Sequence, residues 1–324
     1  MIFLTGATGL VGSYIARRLL EDNTTVRALR RKNSDLSLVK DIAHLIEWVE
    51  GDILDVLFLE ESLKGVDCII HAAAVVSFSK RSQGRMMHVN VQGTANLVNA
   101  ALKNNISRFC HISSVAAIGR GKSEVIDEES KWEDSHNNTS YAQSKYMAEL
   151  EVWRGIEEGL DAVIVNPSVV LGPGLINNTS VRLFKYVWNQ SPFYTPGEVN
   201  YIDVRDVAEI VNQLVEKRNL TGRFILNAGK ISYKELFGKI AENFNRKKPF
   251  LKAGSFLSAV AWRVEAIKAL ITGQEAIITK ETARIANQSF FYENTKIRSA
   301  LNFNFRDIND TIVWTCSVLT KRGM

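Results

Sequence analysis

Short apolar runs alternate along the first half of the chain with longer stretches in which apolar residues recur every three or four positions. The short runs, Ile2–Thr5, Thr25–Leu29, Ile46–Val49, Cys68–Ala72, Arg108–Ser113 and Ala162–Asn166, predict strands. Between them, Val11–Leu20, Leu57–Leu63, Val91–Asn104 and Tyr141–Glu158 carry helical periodicity. Strands joined by crossover helices run parallel, so the expected fold class is α/β with a doubly wound parallel sheet. Right-handed crossovers make the expected strand order 3-2-1-4-5-6. After Pro167 the alternation breaks. "SVVLGPGLINNTS" and "SPFYTPGEVN" read as turn-rich loops around a helix near Val181–Asn189. "YIDVRDVAEIVNQLVEK" reads as a strand running into a helix, "RFILNA" as a strand, and the chain beyond Ser232 as mostly helical. The expected division is a sheet domain over 1–167, rejoined by 201–227, and a smaller, mostly helical lobe from 168–200 and 228–324.

A chain of 324 residues has room for such a domain and lobe. Its net charge of +5 suits an anionic ligand but forms no long basic stripe, which argues against nucleic acid. Cys68, Cys110 and Cys316 lie far apart without metal-ligand spacing; no metal is expected, and reduced thiols in a cytoplasmic protein are. The chain opens directly on a strand, with no charged leader before it, and no apolar run approaches 18 residues. A transmembrane segment is therefore not expected.

Candidate chemistry begins at "TGATGLVG", between the first strand and the first helix. Gly6, Gly9 and Gly12 are spaced by three. A glycine turn of this kind lets backbone N–H groups approach a pyrophosphate at the positive end of a helix dipole. The second strand runs into Arg30, Arg31 and Lys32, with no acid before Asp35. Guanidinium at that place suits the 2′-phosphate of NADP, where an acid would suit NAD. NADP(H) is thus the preferred cofactor, with NAD(H) the alternative and Arg30 and Arg31 the candidate contacts.

The T-G-x-x-G-x-x-G spacing resembles the extended branch of the short-chain dehydrogenases/reductases, the NAD-dependent epimerase/dehydratase family. "GDILD", "HAAAV", "NVQGTANLV", "NPSVVLGP" and "YIDVRDVA" follow in the order of that family, so the resemblance spans roughly residues 1–230. It implies a Rossmann domain whose dinucleotide contacts include Gly6, Thr8, Gly9, Leu10, Val11, Gly12, Asp52, Ile53, Ala72, Ala73 and Ala74. Near the nicotinamide it implies Lys145, Pro167, Ser168, Val169 and Val170, and it makes Asn90 a structural or proton-relay residue. Dimers are common in the family, so a homodimer is an expectation.

"SYAQSKYMAEL" places Tyr141 and Lys145 one helical turn apart. The resemblance makes them a Tyr-x-x-x-Lys pair, completed by a serine from "ISSVAAIG"; Ser114 is the better candidate and Ser113 the second. A free phenol has a pKa of about 10. A neighbouring ammonium and an oxidised nicotinamide ring would both lower it, which suits Tyr141 to general acid–base work.

Substrate signals are weaker. The place before the late strand reads "TPGEVNYIDV", without the Arg usual in nucleotide-sugar members, and "ITKETARIANQSFFYENTKIRSALNF" is similar to the dihydroflavonol-reductase and 3β-hydroxysteroid-dehydrogenase-like branch. The expected function is NADP(H)-dependent reduction of a hydrophobic ketone or aldehyde, or the reverse oxidation. Val76, Phe78, Ser114, Val170, Leu171 and Phe184 are the candidate substrate contacts, while Arg81 and Arg85 fit a solvated helix face. Two alternatives stay open: a nucleotide-sugar epimerase or dehydratase with tightly bound NAD(P), and a dinucleotide-sensing regulator without turnover. The apolar stretch 255–273 fits a lobe helix, a dimer contact or an interfacial helix. His71 and His111, in predicted strands, fit hydrogen-bonded core positions.

Overall fold

A computed structural model describes residues 1–77, 82–119, 124–133, 138–175, 180–254 and 290–324. Phe78, Arg81 and the 255–273 stretch lie outside the described residues. Seven strands form the main sheet: β1 (Ile2–Thr5), β2 (Val26–Arg30), β3 (Glu47–Glu50), β4 (Cys68–His71), β5 (Arg108–Ile112), β6 (Ala162–Pro167) and β7 (Gly222–Leu226). Their order is 3-2-1-4-5-6-7 and every pairing is parallel. The expected six-strand order is present, extended by the "RFILNA" strand. β2 and β3 each run one residue further than expected, so Arg30 is a strand residue, in register with Glu50.

The central strands β1, β4, β5 and β6 are buried throughout, as a sheet covered on both faces requires. Ile15 and Leu19 of α1 (Leu10–Glu21) and Val207, Val211 and Leu214 of the Val204–Glu216 helix cover one face. Leu59, Leu97, Val98 and Val152, from three further helices, cover the other. The Glu198–Asp203 strand does not return to the main sheet. It lies between Val169–Leu171 and Gly229–Ser232 in a second, three-stranded sheet. Pro167 ends β6, and Ser168 donates its N–H to Leu226 before the chain departs to that second sheet. A separate apolar core, including Leu171, Phe184, Phe237, Ile240 and Ile312, joins the second sheet to the helices that follow.

Two polar devices fasten the outer part of the main sheet. Arg108 on β5 is 1% exposed, and its guanidinium donates to the carbonyls of Leu214 (2.7 Å) and Leu220 (2.6 Å) and pairs with Asp161. On β7 the N–H of Ile225 donates to a carboxylate oxygen of Glu128 at 2.9 Å. Among the described residues no helix is long and apolar enough to cross a membrane. Removing the Arg108 side chain strands two carbonyls and empties a buried volume. Arg108→Ala is expected to lower unfolding stability by about 3 kcal/mol, read from the urea midpoint.

Candidate active site

The turn from β1 into α1 is shaped by steric necessity. Gly6 has φ +77°, and a Cβ there would lie 2.7 Å from the Ala72 carbonyl and the Ala73 nitrogen. A Cβ on Gly12 would lie 2.1 Å from the Gly6 oxygen. Gly9 stands at the N-cap of α1, and no side chain caps the helix there. The first-turn N–H groups of α1 are thus left for another acceptor. Thr8, Leu10 and Val11 flank this opening and are half-buried.

The end of β4 is fastened from both sides. Thr94 donates its hydroxyl to the Asn90 carbonyl (2.6 Å), so His71 Nε2, 3.0 Å from Thr94 Oγ1, must be the donor to that hydroxyl. Nδ1 of His71 then accepts from the Thr5 hydroxyl at 2.7 Å. Burial pushes His71 down to about 3, which keeps it neutral. The expected hydrogen-bonded core histidine is found at His71. His111 departs from that expectation: it is buried, and both ring nitrogens lack a hydrogen-bond partner among the described residues. Asn90 sits in a π turn over His88–Gln92. It accepts from the Val75 N–H (2.7 Å) and donates to the Val75 carbonyl (3.0 Å) and Ser144 (3.1 Å). It therefore clamps the segment after β4, with Ala72, Ala73 and Ala74, to the Tyr141 helix.

At the far end of the opening, the Arg30 guanidinium lies 3.7 Å from the Glu50 carboxylate and 5.8 Å from the Trp48 ring centre. Its Nε is buried without a hydrogen-bond partner among the described residues. Arg31 and Lys32 are exposed. Asp52 is exposed and accepts from the Leu54 N–H (3.0 Å); Ile53 is buried, its side chain packed where a Cβ on Gly93 would collide with it. The glycine cradle and the uncapped start of α1 fit the pyrophosphate of a dinucleotide.

Tyr141 stands in the first turn of the Ser140–Glu157 helix, which Thr139 caps by accepting from the Ala142 N–H. Its hydroxyl is hydrogen-bonded with Ser114. Ser114 is half-buried at the end of β5, and its Oγ also accepts from the Ala116 N–H at 3.1 Å. Ser113 points elsewhere: it is buried and donates to Glu149 at 2.5 Å. Of the two serines, the structure brings Ser114 to the phenol. Lys145 is buried one turn below and donates to the Ile112 carbonyl at 2.8 Å. Burial pushes its ammonium down to about 8, against the opposing pull of Glu149. Tyr141 differs from expectation in sign: the protein raises its pKa through burial, opposed by the Ser114 hydrogen bond.

Val76 is 46% exposed and Val170 half-buried; both are reachable from solvent. Leu171 and Phe184 are not: they have no exposed surface and pack in the core of the lobe, where their apolar character is used in packing. Val169 is exposed, whereas Pro167 and Ser168 are buried. Arg85 is exposed on its helix. Among the described residues no group of histidine, cysteine and acidic side chains could hold a metal. Sequence reasoning missed Glu149, Asn166 and Arg223, which meet beneath Lys145. The four-residue step from Lys145 to Glu149 was the available signal for the first.

These features agree with what the comparisons with known proteins find. The profile of the NAD dependent epimerase/dehydratase family matches residues 2–229, and the chain belongs to that family. It is an NAD(P)-dependent enzyme of the extended short-chain dehydrogenase/reductase type. A Synechocystis protein named as a dihydroflavonol 4-reductase is 32% identical over 303 residues, covering 91% of this chain and 87% of that one. Cinnamoyl-CoA reductase 1 of Petunia hybrida is 31% identical over 242 residues, covering 69% and 72%. The crystal structure of gox2253 superposes with a TM-score of 0.84 at 32% identity, covering 100% of this chain and 98% of its own. The enzyme WbmH of Bordetella bronchiseptica, solved with NAD+, shares the fold at TM-score 0.79 and 20% identity, covering 100% and 99%.

Gly12→Ala drives a methyl group into the Gly6 carbonyl and distorts the cradle. It is expected to abolish saturable NADPH binding, measured as enhancement of nicotinamide fluorescence.

Proposed function

We propose that the protein is an NADP(H)-dependent reductase of a hydrophobic ketone or aldehyde, able to run in reverse on the alcohol. The observation that carries this reading is the Tyr141–Ser114 hydrogen bond, one helical turn from the buried Lys145 ammonium. The names of the relatives, a dihydroflavonol 4-reductase and a cinnamoyl-CoA reductase, support a reductase acting on carbonyl compounds. The backbone of the α1 first turn would hold the pyrophosphate, and Arg30 the 2′-phosphate. When bound, the dinucleotide supplies the hydride and, once oxidised, a positive ring that favours phenolate.

The chain's own residues do the rest. Burial keeps Tyr141 protonated at neutral pH, the form that can give a proton to a carbonyl oxygen. Ser114 hydrogen-bonds the same oxygen and so stabilises the charge that develops on it. Lys145 spends one of its three N–H donors on Ile112, leaving two for ribose hydroxyls. Exposed Val76 and half-buried Val170 offer the substrate an apolar wall. The nucleotide-sugar reading is second, because "TPGEVNYIDV" lacks an arginine for a diphosphate.

Against a panel of hydrophobic aldehydes and ketones, Tyr141→Phe is expected to lose roughly 10²–10⁴-fold in kcat/KM, with NADPH affinity nearly unchanged. Equal NADPH oxidation by both proteins would remove Tyr141 as the acid. Fluorescence titration is expected to show tighter binding of NADPH than of NADH, and Arg30→Ala is expected to weaken NADPH alone, by at least about tenfold. A wild-type preference for NADH would overturn the assignment of Arg30, and thermal stabilisation by UDP-sugars would favour the second reading.

A further inference from the structure

Tyr141, Lys145 and Glu149 follow one another at helical steps of four, and the third has no role in the reaction just described. Glu149 is 0% exposed. One carboxylate oxygen accepts from Ser113 Oγ (2.5 Å) and Asn166 Nδ2 (2.5 Å); the other accepts from the Arg223 guanidinium (2.6 Å). Asn166 Nδ2 also donates to the Ser114 carbonyl at 2.9 Å. Three donors, one of them a guanidinium, converge on this buried carboxylate, and it couples the strand behind Ser114 to the helix that carries Lys145.

We propose that Glu149, clamped by Arg223 from the outermost strand, is a positioning residue that sets the charge environment of Lys145 one turn away and fixes the backbone of Ser114. The inference rests on the reductase reading for its meaning in turnover, and on the placement of Lys145 and Glu149, both buried and one turn apart on the same helix. The groups around Lys145 make the case. His71 from β4 and His111 from β5 face it, both kept neutral by burial and by the ammonium itself. The Ile112 carbonyl accepts its proton. On its own helix, Tyr141 is neutral and Glu149 supplies the negative charge. Arg223 partly neutralises that carboxylate and also lies 5.8 Å from the Trp153 ring centre, one turn further on.

The arrangement makes two variants act in opposite directions. Glu149→Gln keeps the shape but deletes the charge, so the Lys145 midpoint falls from about 8 by roughly one pH unit. Arg223→Met strengthens the carboxylate's effect, so the midpoint rises. Carbon-13 NMR of ε-labelled lysine, assigned with Lys145→Arg, reads both without any substrate. Opposite shifts support the proposal, and an unmoved midpoint in folded Glu149→Gln overturns it. Should Glu149→Gln not fold, Arg223→Met decides: a midpoint that rises supports the proposal, and one that stays or falls overturns it. NADPH oxidation is followed in parallel. Opposite NMR shifts without turnover of any carbonyl would count against the reductase reading and leave the charge coupling intact.

Discussion

Burying an ammonium beneath a parallel sheet's carboxyl edge is costly, and the rest of this site is arranged around meeting that cost. Lys145 has a carbonyl for its proton and a carboxylate one turn away. That carboxylate cannot stand alone either, since an unpaired buried charge destabilises by several kcal/mol. Ser113, just past β5, Asn166 on β6 and Arg223 on β7 answer it. One buried charge thereby specifies the mutual position of a helix and three adjacent strands, including the strand end that presents Ser114.

The cofactor side of the cleft follows a different constraint, close approach rather than charge. Gly6 is required because the β1–α1 turn lies against the end of β4, and Gly12 because the first turn of α1 lies against the backbone of Gly6, with no space for a side chain at either. Thr5, His71, Thr94 and Asn90 then secure that strand end through consecutive hydrogen bonds. The two halves meet at Asn90, which holds both the segment after β4 and Ser144 of the Tyr141 helix. The glycine cradle and the phenol are thus tied by the same amide.

Much of this was legible in the sequence where a period or a spacing carries the information. Alternating runs implied the parallel sheet and its order, and the three-residue glycine spacing implied the cradle. Tyr141 and Lys145 stood out by their helical step. What escaped was set by contacts between distant positions. Nothing local marks Arg223 as the partner of Glu149, 74 residues earlier in the chain. Leu171 and Phe184 were misjudged because apolar residues that line a pocket and those that fill a core have the same composition; only packing separates them. The second strand was expected to end at Leu29, whereas register with Glu50 makes Arg30 its last residue and gives it an acidic neighbour.

The two outer strands of the main sheet carry a different consequence. β3 presents Glu47 and Glu50 on its exposed positions, and β7 has an amide occupied by the Glu128 carboxylate. Free sheet margins recruit strands from other molecules, and acidic side chains or occupied amides deny them that template. A long, two-sided hydrophobic sheet is in this way guarded at both borders against edge-to-edge polymerisation, and on the β7 side the guard sits on the same strand that supplies Arg223 to the interior.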